Sequence, residues 1–179
     1  MLRHNRCGTV SLEFAIAAMP LFLLVLGVLE VGYDLFVQSV LTNAVDEAAR
    51  SVQVGTTQGT NDEPSGTFVA SAVCPGLGPL LDCGRLIVGV APIPAGYTYY
   101  NAPTVITLQN AGSANGSVCT GQAGQLMLLE AWYAGPTFIG GLVPAFATFY
   151  NGALVHLSSA SAGFVNETFA GGQTKGVGC

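Results

Sequence analysis

Charge is scarce in this sequence. Charged residues make up 8% of its 179 positions, against about 25% in an ordinary soluble domain. Five are basic (Arg3, Arg6, Arg50, Arg85 and Lys175), and the formal net charge is −5. Beyond the first residues no two basic side chains lie close together. That excludes the clustered Lys and Arg of a phosphate-binding surface, so no nucleic-acid partner is expected. Histidine is almost as rare: His4 and His156 are the two. No Ser/His/Asp or Cys/His set forms around His156, so no catalytic residue is assigned and the chain is not expected to be an enzyme. Tight CxxC or Cys/His spacing is missing too, which leaves no metal site to propose. Gly76-Leu77-Gly78 stands in a Pro-rich turn and lacks the strand-to-helix setting of a phosphate loop, and no cofactor is expected.

Apolar residues are plentiful. They fill 50% of the chain, and the mean hydropathy is +0.53. Residues 1–8 (MLRHNRCG) are short and basic. Thr9 to Leu29 then runs apolar with one charge, Glu13. A helix of that length spans ~30 Å, the thickness of a bilayer core. Arg3 and Arg6 precede it and most acids follow it, which places the amino end in the cytoplasm and the carboxyl end outside. A secretory signal would have a shorter apolar core, about 7–15 residues, with a small-residue cleavage site after it. A lipoprotein signal would place its cysteine after the apolar run, whereas Cys7 precedes it.

The helix is expected to continue in water. Val37, Val40, Leu41, Ala44, Val45, Ala48, Ala49 and Val52 follow i, i+3, i+4, i+7 spacing and make one stripe. Gln38, Asn43, Asp46, Glu47 and Arg50 lie off it, with Asp46 and Arg50 in the favourable i, i+4 order. Gly55 and the polar stretch after it end the helix. Further on, Ser65 caps a short helix to Val73, stopped by Cys74-Pro75-Gly76. Strands are expected over Arg85–Val90, Thr104–Leu108 (weaker), Gln125–Tyr133 and Ala153–Ala160. The uncharged stretch from Ala131 to Asn166 is too interrupted by Gly and Pro to be a second span. Phe138 to Phe149 reads either as an apolar surface loop or as a packing surface for a partner.

The resulting fold class is α+β. A long amino-terminal helix, transmembrane and then amphipathic, precedes a small, mostly antiparallel sheet. The expected organisation is a leader over 1–8, a membrane helix over 9–30, its continuation over 31–54, a linker over 55–64 and an outer domain over 65–179. Removal of residues 1–8 leaves four cysteines, Cys74, Cys83, Cys119 and Cys179, all on the side where disulfides persist. Three pairings are possible. Cys74 with Cys83 is preferred because the two flank a short apolar turn, which leaves Cys119 with Cys179.

The chemistry-bearing stretch is Gly8-Thr9-Val10-Ser11-Leu12-Glu13-Phe14. A cut after Gly8 gives Thr9 a free amine, mostly protonated near neutral pH. Glu13 becomes the fifth residue. A carboxylate in a membrane helix costs up to about 2.5–3.5 kcal/mol on insertion scales. An opposite charge about 4 Å away returns up to ~4 kcal/mol at an effective dielectric of about 20. Glu13 therefore gains from an amine, its own or a neighbouring subunit's, and cleavage would switch assembly on. The plainer alternative is an anchor whose Glu13 snorkels to the interface.

These residues resemble the TadE-like minor pseudopilins of tight-adherence (Tad/Flp, type IVc) pilus systems. The matching features are Gly8, Glu13-Phe14-Ala15, Pro20, Glu30-Val31-Gly32, Gln38 and Ala48-Ala49-Arg50. The end of the chain is similar at Asn166 and Glu167 and departs from the family at Val165 and Thr168. The resemblance implies a pilin-like fold and processing by a prepilin peptidase. Implied partners are other pseudopilins, the major Flp-type pilin and the inner-membrane assembly platform. The implied location is the bacterial inner membrane, crossed once, with the carboxyl domain periplasmic and the pilus or cell surface as a further destination. A membrane-tethered binding or scaffold protein outside any fibre is the alternative. Pro20 would weaken the helix and permit bending. Glu30, ~25 Å beyond Glu13, would reach the outer interface or set register between packed helices.

Overall fold

The structure, a computed structural model, describes residues 7–55, 68–106, 108–109, 113–114, 118–144 and 147–167, with side chains from residue 10 onward except at residues 108–109 and 113–114. Most of the expected leader and linker, Ser65 and Cys179 lie outside these residues.

One helix, α1 (Cys7–Gln53), dominates the chain and runs through Pro20 without interruption. The stripe read from its second half is the face it buries. Val37, Leu41, Ala44, Val45, Ala48, Ala49 and Val52 are all in the core, with Val40 packed beside them. The five polar residues off the stripe are exposed.

Four strands, β1 (Leu86–Pro92), β4 (Leu126–Pro136), β5 (Thr148–Tyr150) and β6 (Ala153–Val165), make an antiparallel sheet in the order β1-β4-β6-β5. Alternation along the strands sends Val88, Val90, Met127, Leu129, Ala131, Tyr133 and Phe164 into the same core as the α1 stripe. A two-stranded ribbon, β2 (Leu108–Gln109) with β3 (Ser113–Ala114), stands apart. The architecture is α+β, as the sequence indicates.

Three local expectations are corrected. No strand forms over Thr104–Ile106, because the Val105 and Ile106 N–H groups donate to Glu130 Oε2, at 2.8 and 3.1 Å, rather than to a neighbouring strand. The short helix does not stop at Cys74. A π turn, Val69–Val73, leads into α2 (Cys74–Leu77). Pro75 falls in the first turn of α2, where its missing N–H is not needed. Strand β5 adds to the expected strands, and β4 and β6 continue to Pro136 and Val165, past the expected ends at Tyr133 and Ala160. Gly76 explains how α2 lies so close to α1: a Cβ there would stand 2.7 Å from the Cβ of Ala44. Cys74 and Cys83 are disulfide-bonded, with Cα atoms 5.7 Å apart. Cys119 is buried and also disulfide-bonded.

Candidate functional site

The first half of α1 stands bare. Val10, Leu12, Phe14, Ile16, Met19, Leu24 and Leu29 are all exposed, Phe14 at 73%. Apolar residues go all round this segment, the pattern of a helix meant for lipid or for other helices. It is long and apolar enough to cross a membrane. Glu13 is exposed on it, beside Phe14. Gly8 and Thr9 lie in the first turns of the helix backbone.

The bare segment ends at a clasp. Glu30 is 3% exposed. One carboxylate oxygen accepts from Thr137 Oγ1 at 2.7 Å, and the other from the N–H groups of Phe138 at 2.6 Å and Ile139 at 3.3 Å. Successive N–H groups at a turn form a concavity suited to an anion. Such charge-assisted bonds answer the desolvation of a buried carboxylate. Thr137 Oγ1 also accepts from Gly140 N, which curls the loop about the contact. The partners of Glu30 are therefore intramolecular, where the sequence suggested the interface or packed helices.

One turn on, Asp34 Oδ1 accepts from Ser158 Oγ at 2.6 Å and lies 3.1 Å from His156 Nε2. Between these acids, Tyr33 meets the Phe138 ring edge to face, with centroids 6.0 Å apart. Burial, and then the neighbouring Tyr133, push the Tyr33 phenol above its ordinary pKa. The junction thus ties α1 to both the loop after β4 and the start of β6. His156, which has no Ser/His/Asp set around it in the sequence, meets Asp34 here, with Ser158 bonded to the same carboxylate oxygen. Thr137 and Ser158 carry no signal in the sequence. Two acids one turn apart at the end of an apolar run were the available clue.

This arrangement fixes the geometry of the junction, with Asp34 the shared partner of Ser158 and His156. An open cleft of about 830 Å³ lies beside β1 and the β5–β6 hairpin. Among the described residues, and apart from disulfide-bonded Cys83, its titratable lining residues are Arg85 and Tyr150.

The family model for TadE-like protein matches residues 8–50. This segment is TadE-like. The match takes in Glu13, Pro20, Glu30 and Asp34 and ends at Arg50, so it covers the bare half of α1, the acids of the clasp and most of the buried stripe. It associates the chain with the Tad pilus system. Neither the curated proteins nor the solved structures contain a match to the chain. The TadE-like segment is thus the helix, and the sheet it carries lies outside the match.

Proposed function

We propose that this chain is a minor pseudopilin of a tight-adherence pilus, cut after Gly8 by a membrane prepilin peptidase. The spacing of Gly8 and Glu13 at the head of a bare apolar helix carries the reading. The cut gives Thr9 a positive amine. Glu13, exposed one turn along and facing lipid, gains a partner in the amine of a neighbouring subunit. Assembly then follows processing, because the uncut chain has no amine at that position.

In this reading residues 9–30 cross the inner membrane with the amino end cytoplasmic, and the sheet domain is periplasmic. The partners are other pseudopilins, the major Flp-type pilin and the assembly platform. The protein acts in assembly or priming of the fibre and so supports surface attachment. The TadE-like match over residues 8–50 supports the association with the pilus system.

The mature amino terminus tests the reading. Intact mass and amino-terminal sequencing of membrane-extracted protein should both give Thr9. A chain retaining Met1 in a strain with an active prepilin peptidase overturns it.

A further inference from the structure

We propose that the loop 137–144 and the β5–β6 hairpin form a lipid-binding collar that seats the folded domain on the outer leaflet of the membrane. Phe138, Leu142, Phe149 and Leu154 would lie at the headgroup–acyl boundary. The inference rests on residues 9–30 being the membrane span.

The levels of the elements along α1 carry the argument. Strand β6 runs beside the helix. Asp34 meets Ser158 at one end, and Gln53 O accepts from Glu167 N at the other. Between these contacts the helix rises ~28 Å and the strand ~30 Å, so the two are nearly parallel. From Ser158 back to Ala153 the strand descends a further ~16 Å. That brings the hairpin turn about level with Leu23, ~10 Å below Glu30. The clasp independently fixes the neighbouring loop, because Glu30 is bonded to Thr137, Phe138 and Ile139. Leu26 and Gly27, one turn before Glu30, are already half-buried. The domain therefore reaches down past the end of the apolar run, to the depth of about 5–10 Å at which interfacial elements sit.

The chemistry of this rim suits that depth. Phe138 is 56% exposed and Leu142 69%. Phe149 and Leu154, paired across the hairpin, are exposed as well. No residue from Ala131 to Asn166 carries a formal charge. Aromatic and aliphatic side chains without lysine fit a lipid interface entered by apolar burial rather than by attraction to anionic headgroups. Edge strand β5 has only three residues, so few edge backbone groups would face lipid. The loop also encloses the Glu30 carboxylate, which would otherwise meet lipid at this level. Lipid is favoured over a second protein because the rim continues the exposed surface of the helix at the same height, where Leu24 and Leu29 already face outward.

The test uses the full chain reconstituted in phosphatidylcholine vesicles. Trp132, the one tryptophan, is replaced by Trp132→Phe. Single reporters are then added by Leu142→Trp, Phe149→Trp, Leu24→Trp or Tyr100→Trp. All four positions are exposed, and Tyr100 follows Tyr99, whose hydroxyl donates to Ser161 O, well above the hairpin. Phosphatidylcholine brominated near the headgroup end of its acyl chains should quench the Leu142→Trp and Phe149→Trp proteins severalfold more than the Tyr100→Trp protein. Quenching at the two rim positions no greater than in Tyr100→Trp, with Leu24→Trp quenched, overturns the collar and leaves the span intact. Rim reporters shielded from aqueous iodide yet unquenched by brominated lipid also overturn it, in favour of a protein contact. An unquenched Leu24→Trp protein refutes the span itself, and the collar with it.

Discussion

The two halves of α1 belong to one unbroken helix and solve opposite problems. Before Glu30 its apolar residues point in every direction and its own chain covers few of them. From Val37 onward they collapse into one stripe, sealed by the sheet and by the turn and short helix around Val73 and Leu77, while Gln38, Asn43, Asp46, Glu47 and Arg50 are exposed. Helix propensity alone does not explain the difference, because both halves are helical. Its cause is what each half must bury against. The covered half receives its partner from this chain, and the bare half needs one from outside. Glu30 and Asp34 mark the boundary, where two acids become affordable because the domain supplies donors to both.

The largest expected effect tests the bare half. Glu13→Val removes the carboxylate that a neighbouring Thr9 amine would meet and leaves Gly8 untouched. Cleavage should continue while surface pili are lost, scored by electron microscopy of cells making the variant at normal levels. Normal piliation would remove Glu13 from assembly. Next comes a matched pair across the boundary. Leu41 is fully buried, and Leu41→Ala should cost about 2–5 kcal/mol through lost burial and the cavity left behind. Leu24→Ala removes the same atoms from an exposed site and should leave the stability of the domain nearly unchanged. Urea unfolding of the reconstituted protein, followed through Trp132, measures both. Equal losses would mean that the bare half is covered by the domain after all.

Much of this contrast was legible in the residues. The stripe from Val37 to Val52 could be read because a 3.6-residue period repeats over four turns. Strands β1, β4 and β6 could be located because apolar β-formers are bounded by turn residues. Strand β5 is too short for any alternation to show. Val105 and Ile106 looked like strand residues, and a carboxylate on β4 took their N–H groups instead. The clasp was hidden for a different reason. Glu30 and Thr137 are separated by 107 residues, and nothing local to either announces the other. Glu13 is the reverse case. Its spacing from Gly8 was evident in the sequence, while its proposed partner belongs to another subunit.

The smallest effect is expected at the boundary itself. Glu30→Ala would leave the Thr137 hydroxyl and the Phe138 and Ile139 N–H groups facing an apolar gap, at a cost of about 1–3 kcal/mol. Much of that cost should be local, because the sheet keeps its own hydrogen bonds and the Asp34–Ser158 contact holds β6 one turn away. Hydrogen exchange should therefore speed up at Phe138, Ile139 and Gly140 while Leu129 and Ala131 in β4 remain protected. Glu30→Gln separates charge from shape. It keeps one acceptor oxygen and nearly the same volume, so one oxygen's contacts survive without charge assistance. Exchange midway between wild type and Glu30→Ala would mean that the negative charge strengthens a contact whose shape already holds. Unchanged exchange in Glu30→Ala would mean that the loop is held by Ile139 packing alone, and the boundary between the two halves would then owe nothing to the buried acid.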